Sequence, residues 1–217
     1  MKDSIIVLSG GMDSVTMMHE FKDRIALAVT FYYGSKHNGR EIECARWQCR
    51  KLGIKQIQIP LDFMAKYFKS SLLLGGSAIP EGRYNALNMK STVVPFRNGI
   101  MLAVACGLAE SNGLRHVMIA NHGGDHAIYP DCRGEFIDAM SSAMAAGTGD
   151  GITIFAPYTN LTKADICKKG IELGVDYKHT YSCYKGEAHH CGRCATCRER
   201  REAFMAAGAD DPVIYDA

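Results

Sequence analysis

Short apolar runs alternate along the chain with longer stretches whose apolar residues recur every three or four positions. Ile5-Ile6-Val7-Leu8 reads as a buried strand, followed by a helix with Val15, Met18 and Phe21 on its apolar side. Ile25 to Phe31 reads as a second buried strand. Glu41 to Leu52 runs helical, with Ile42, Ala45, Cys49 and Leu52 on one face and Gly53 at its end. Ile54 to Ile59 alternates apolar and polar residues, the pattern of a strand at a sheet edge. Leu61 to Asn88 is irregular, and its apolar and glycine content suits a lid, a partner surface or a solvated loop. Beyond it the pattern predicts a helix from Gly99 to Ser111, a strand from Arg115 to Ala120 and a polar loop from Asn121 to Arg133. A helix from Glu135 to Ala146, a strand from Ile152 to Phe155 and a helix opened by Thr162 and running to Gly174 follow. Strands alternating with helices predict an α/β fold, a parallel sheet with right-handed crossovers and ligands at the strand carboxyl ends.

Composition narrows the class. A chain of 217 residues suits one α/β domain with a small appendage, here 1–180 and 181–217. A net charge of +2 supplies no broad field for nucleic acid or a membrane surface. No apolar run is expected to span a bilayer, and the charged Lys2-Asp3 start is unlike a signal peptide. Nine cysteines, an odd number, argue against a secreted disulfide framework. The expected location is the cytoplasm, with the clustered thiols binding metal. Cys44, Cys49, Cys106 and Cys167 read as core thiols, and Cys132 falls in a polar loop.

The first strand runs into Ser9-Gly10-Gly11-Met12-Asp13-Ser14. Glycines permit a tight turn whose N–H groups face a ligand, and Asp13 or Ser14 is expected to cap the next helix. Strand, glycine turn and helix N-terminus together make an anion site, with phosphate or pyrophosphate as the natural anion. The loop lacks the Gly-Lys-Ser/Thr of a Walker loop and is not a G-x-G-x-x-G fingerprint. It resembles instead the pyrophosphate loop of the N-type ATP pyrophosphatases.

Near the C-terminus, Cys183, Cys191, Cys194 and Cys197 form C-x7-C-x2-C-x2-C. Two-residue gaps let successive thiolates turn back on one ion, and four thiolates close a tetrahedral zinc site. An iron–sulfur cluster is the competing reading, but the cysteine that the ferredoxin run requires three residues on is absent from Arg198 to Arg201. His189 and His190 read as surface residues.

Pro95-Phe96-Arg97-Asn98, Tyr129-Pro130-Asp131-Cys132-Arg133, Ser182-Cys183-Tyr184 and Cys191-Gly192-x-Cys194-x2-Cys197, in that order behind the loop, resemble the 7-cyano-7-deazaguanine synthases of queuosine biosynthesis. The resemblance runs from Ile5 to about Phe204. It implies a Rossmann-like (adenine nucleotide alpha hydrolase-like) fold with a small C-terminal zinc-binding region. It also implies an ATP-dependent carbon–nitrogen ligase that converts 7-carboxy-7-deazaguanine and ammonia to the nitrile. A carboxylate resists ammonia because oxide would have to leave; activation by ATP gives a mixed anhydride, then an amide, and a second activation permits dehydration. A tRNA-thiolating ATP pyrophosphatase with an iron–sulfur cluster is the alternative.

Carried onto this chain, the resemblance implies ATP held by Leu8, Ser9, Gly10, Gly11, Met12, Asp13, Ser14 and Arg97, with Mg2+. Asp13, Ser14 and Lys163 are the catalytic candidates; Asp125, Asp131 and Arg133 are the substrate contacts, Asp131 for a guanine-like edge and Arg133 for the carboxylate. Zn2+ on the four cysteines, free ammonia, a small-molecule substrate without nucleic acid or membrane, and a homodimer complete the expectation. The chain departs from the family pattern at Ser35-Lys36, Ala127-Ile128 and Tyr181.

Overall fold

The computed structural model describes residues 2–82, 89–125 and 127–216, with Asp125 described by its backbone alone. Five parallel strands, β1 (Ser4–Val7), β2 (Ile25–Tyr32), β3 (Lys55–Pro60), β4 (His116–Met118) and β5 (Thr153–Phe155), form one sheet in the order β3-β2-β1-β4-β5. Neighbouring residues of a strand point to opposite faces, so Ile5 and Ile6 seed two separate cores. Ile5 packs with Leu27, Val29 and Val117 under α3 (Asp62–Tyr67), α4 (Arg97–Ser111) and α5 (Gly134–Gly147). Ile6 packs with Ala28 and Met118 under α1 (Met12–Glu20), α2 (Asn38–Leu52), α6 (Lys163–Glu172) and α7 (Ala195–Ala206). Burial on both faces explains why β1 and β2 read as unbroken apolar runs. β3 lies at the sheet edge, as its alternation predicts.

Several boundaries shift for identifiable reasons. α2 begins three residues before the expected Glu41, because buried Asn38 accepts from the N–H groups of Tyr33 and Ser35 and donates to the Phe31 carbonyl. The irregular stretch after Leu61 contains α3 and drives Leu72 and Leu73 into the first core, so that part of it is neither lid nor solvated loop. Residues 83–88 of that stretch lie outside the described residues. Among the described residues, 90–111 alone passes for a membrane span by length and composition, with an 18-residue window of mean hydropathy 1.5. Its helix α4 has Leu102, Ala105 and Ala109 fully buried against the sheet. Thr162 opens α6 as expected, through a reciprocal cap with Asp165.

Two buried polar links tie the second core together. The Tyr177 hydroxyl lies 2.7 Å from Thr16 Oγ1 of α1 and donates to the carbonyls of Ile166 and Cys167 in α6. Arg200 of α7, fully buried, pairs with Asp211 at 2.8 Å and donates to Thr180 Oγ1, Ser182 Oγ and the Tyr177 carbonyl.

Candidate active site and metal centre

The loop from Leu8 to Gly11 leaves the carboxyl end of β1 and turns directly into α1. Gly11, not Asp13 or Ser14, occupies the capping position, and no side chain caps the helix. Asp13 and Ser14 already lie within the first turn. Ser9 Oγ accepts from the Gly11 N–H and lies 3.0 Å from Ser14 Oγ, while Ser14 Oγ donates to the Gly11 carbonyl. The helix start therefore keeps N–H groups for an anion. Gly10, at φ +98°, faces away from the opening; a Cβ there would sit 2.1 Å from the Glu41 carbonyl oxygen.

The loop floors a cleft of about 210 Å³. Leu8, Ser9, Gly11, Met12, Asp13, Ser14, Arg97 and Lys163 line it, bringing most of the expected nucleotide and catalytic residues together. Gly10, Asp131 and Arg133 do not line it. Asp131 is buried and accepts from the Asn98 N–H at 2.8 Å, so it fixes the start of α4. Arg133 lies 3.9 Å from Glu135. The Asp125 side chain lies outside the described residues.

One wall of the cleft is a knot of charge. Lys163 Nζ stands 3.0 Å from Asp13 Oδ2 and 3.0 Å from Glu199 Oε2, and His122 Nε2 lies 3.7 Å from Asp13 Oδ2. The Gly124 N–H donates to His122 Nδ1, and Lys163 Nζ lies 3.3 Å from His122 Nε2. Burial pushes the Asp13 carboxyl up, but the charges of Lys163 and His122 outweigh it and hold the group below the usual carboxylate range. Asp13 is thus an anion throughout the physiological range. Its second oxygen, Oδ1, is buried with no hydrogen-bond partner. A desolvated carboxylate oxygen beside a phosphate loop fits a divalent cation, which takes one or two carboxylates plus phosphate oxygens.

The opposite wall is aromatic and differently charged. Arg97 Nη1 donates to Tyr33 Oη at 3.3 Å, and among the described residues no carboxylate stands within salt-bridge distance of the guanidinium. Phe96 carries φ +52°, a left-handed conformation costly for a bulky residue. That turn starts α4 and aims Arg97 at the opening. His37 Nε2 lies 3.5 Å from Tyr33 Oη and 3.7 Å from Glu41 Oε2, and the Tyr184 ring flanks it. Burial, reinforced by Arg97, pushes His37 down to about 4, while burial pushes Glu41 up to about 8 against the pull of Arg97.

His122, Glu199, Tyr33, His37 and Glu41 are cleft or wall residues that sequence reasoning missed. His122 and Tyr33 follow the carboxyl ends of β4 and β2, where ligands gather in open α/β sheets. Applied residue by residue, that rule would have found them. Glu199 has no such signal.

The four cysteines converge as their spacing predicts. All are buried, and their sulfurs lie within 4.8 Å of one another, with Cys191 to Cys197 at 4.0 Å and Cys194 to Cys197 at 3.4 Å. A tetrahedral ion with bonds of about 2.3 Å needs sulfurs about 3.8 Å apart, so the set fits zinc. The N–H groups of Lys185 and Cys191 donate to Cys183 Sγ, and that of Cys194 donates to Cys191 Sγ, as thiolate charge requires. His190, expected at the surface, is buried: it accepts the Ser182 N–H and packs between the Tyr181 and Tyr215 rings, roofing the thiols. His189 stays exposed beside Asp216.

Residues 3–208 match the family of queuosine biosynthesis protein QueC. The chain is 61% identical to the 7-cyano-7-deazaguanine synthase of Porphyromonas gingivalis over 99% of its own length and 98% of the relative. It is 51% identical to the synthase of Desulfotalea psychrophila over 94% of each chain, and 45% identical to that of Methanoregula boonei over 98% and 99%. Among solved structures, the NMN synthetase of Francisella tularensis is similar with a TM-score of 0.53 and 13% identity, over 96% of this chain and 78% of that one. At that identity the likeness concerns the fold alone.

Proposed function

The chain belongs to the queuosine biosynthesis protein QueC family, and on that premise we propose that it is an ATP-dependent ligase converting 7-carboxy-7-deazaguanine and ammonia to 7-cyano-7-deazaguanine. The observation that carries the reading is the Asp13–Lys163 pair on one wall of the cleft, with an unpartnered carboxylate oxygen beside an uncapped helix start. The N–H groups of Met12, Asp13 and Ser14, in the uncapped first turn of α1, offer donors to the phosphates of ATP. Asp13 Oδ1 is the group to hold Mg2+, which when bound neutralises phosphate charge and steadies the leaving pyrophosphate. Lys163 then lies where negative charge develops, held in place by Glu199.

Arg97 is the cation left for the substrate carboxylate, since guanidinium pairs with carboxylate in a fork. Asp131 serves by fixing the helix start that aims Arg97. Ammonia enters free. The four thiolates hold a structural Zn2+ within 181–217, while 1–180 carries Asp13, Arg97 and Lys163. A cytoplasmic homodimer acting on a small molecule, without nucleic acid or membrane, completes the reading and rests on family likeness.

The test is incubation with ATP, magnesium, ammonia and 7-carboxy-7-deazaguanine, with mass spectrometry of the products. The expected result is the nitrile, with the amide as a transient, and its loss in Asp13→Ala at an unchanged melting temperature. A normally active Asp13→Ala protein would refute the assignment.

A further inference from the structure

Among the described residues, the cleft lining contains two carboxylates, Asp13 and Glu41. Asp13 is committed to Lys163 and His122. Glu41 has no lysine beside it. It stands in the first turn of α2, and its carbonyl lies so close to Gly10 that no Cβ fits between them, which fixes this turn against the phosphate loop. The groups facing its carboxyl are His37 and Tyr33 from the loop after β2, Arg97 from α4, Cys44 on its own helix, and Tyr184 beyond His37. The same corner holds a second unused group. His37 is 4% exposed, lines the cleft, and its Nδ1 has no partner.

We propose that Glu41 is the proton acceptor for the nitrogen nucleophile. The inference rests on the ligase reading. Attack of ammonia on the activated carboxylate forms a carbon–nitrogen bond and breaks the carbon–oxygen bond to the nucleotide. The nucleotide leaves as a monophosphate with the bonding electron pair. Nitrogen is left with one proton too many for a neutral amide, and the Glu41 carboxylate takes it, becoming the acid. Dehydration of the amide then strips nitrogen of two further protons, so the same acceptor serves again after losing its proton to solvent. Asp13, depressed and ion-paired, is too weak a base for this. Burial strengthens Glu41 as a base, toward the poise that general-base catalysis at neutral pH requires.

The experiment compares wild type with Glu41→Gln and Glu41→Asp in two assays. Acid-dependent exchange of pyrophosphate into ATP reports activation of the carboxylate; amide formation reports the nitrogen step. In Glu41→Gln, amide formation with ammonia should fall about 100-fold or more, while exchange stays within a few-fold of wild type. The deficit should shrink with hydroxylamine, a less basic amine whose nitrogen gives up its extra proton more readily after attack. Glu41→Asp, which keeps a carboxylate on a shorter stem, should recover part of the loss and carries the test alone if the glutamine variant does not fold. Equal loss of exchange and amide formation would make Glu41 a binding group and overturn the inference while the ligase reading stands. Unchanged amide formation in both variants would also overturn it. Wild type without acid-dependent exchange would instead remove the ligase reading itself.

Discussion

The sheet and the four-thiol end are held by different physics. Around β1 and β2, buried apolar side chains on two faces supply the stabilisation, and no single one dominates. Around Cys183, Cys191, Cys194 and Cys197 the buried cluster contains little besides the sulfurs and Tyr181. Area removed from water stabilises the first region in many small increments of about 25 cal/mol per Å². The second has four thiols that could hold one ion, and a few directed contacts. Loss should therefore be graded in the sheet and abrupt at the thiols.

The largest test of that contrast is Cys194→Ser. Structural zinc contributes on the order of 10 kcal/mol to such a unit, so zinc content, soluble yield and melting temperature should fall together. A variant that keeps its melting temperature yet loses all turnover would mean the ion acts on substrate. Next comes the seam between the regions, where Asp211 neutralises fully buried Arg200. Asp211→Ala strands a charge in the interior and should cost about 3–5 kcal/mol in denaturant unfolding. A cost below 1 kcal/mol would mean that Arg200 finds another partner.

Glu41→Gln should move stability the other way. An acid whose native value is raised from 4.5 to about 8 binds its proton more tightly when folded. It therefore lowers stability progressively as pH rises between those values, and the penalty is full above about 8. The variant should match wild type near pH 4 and exceed it by about 2 kcal/mol near pH 9, allowing for screening at the open side of the cleft. Equal melting curves at both pH values would show that Glu41 titrates normally. The smallest effect is Thr162→Ala, which removes the cap of α6 and should cost about 1 kcal/mol with zinc content unchanged.

The two regions were also legible to different degrees. β1, β2, β3 and α6 follow from periodicity and capping chemistry because burial on known faces and a local Thr–Asp pattern determine them. The four-thiol cluster follows from spacing, since its cysteines are close in sequence. The charged knot does not: Asp13, His122, Lys163 and Glu199 come from four separate elements, and only topology brings them together. The mistaken cap has a local cause, because the turn delivers Gly11 rather than Asp13 to the capping position. His190 was misread because its burial depends on the C-terminal Tyr215 folding back over it.

Gly170 lies where α1 and α6 meet; a Cβ there would fall 1.8 Å from the Tyr177 hydroxyl and 2.8 Å from Thr16 Oγ1. At this point the two helices touch through hydroxyls and main chain, beside the apolar side chains of the second core. Asp13 begins one of these helices and Lys163 begins the other. Their spacing is then a property of a stiff joint, set when the chain folds, and it needs no reorganisation when charge develops on the phosphates. Such a joint leaves little room for gradual tuning.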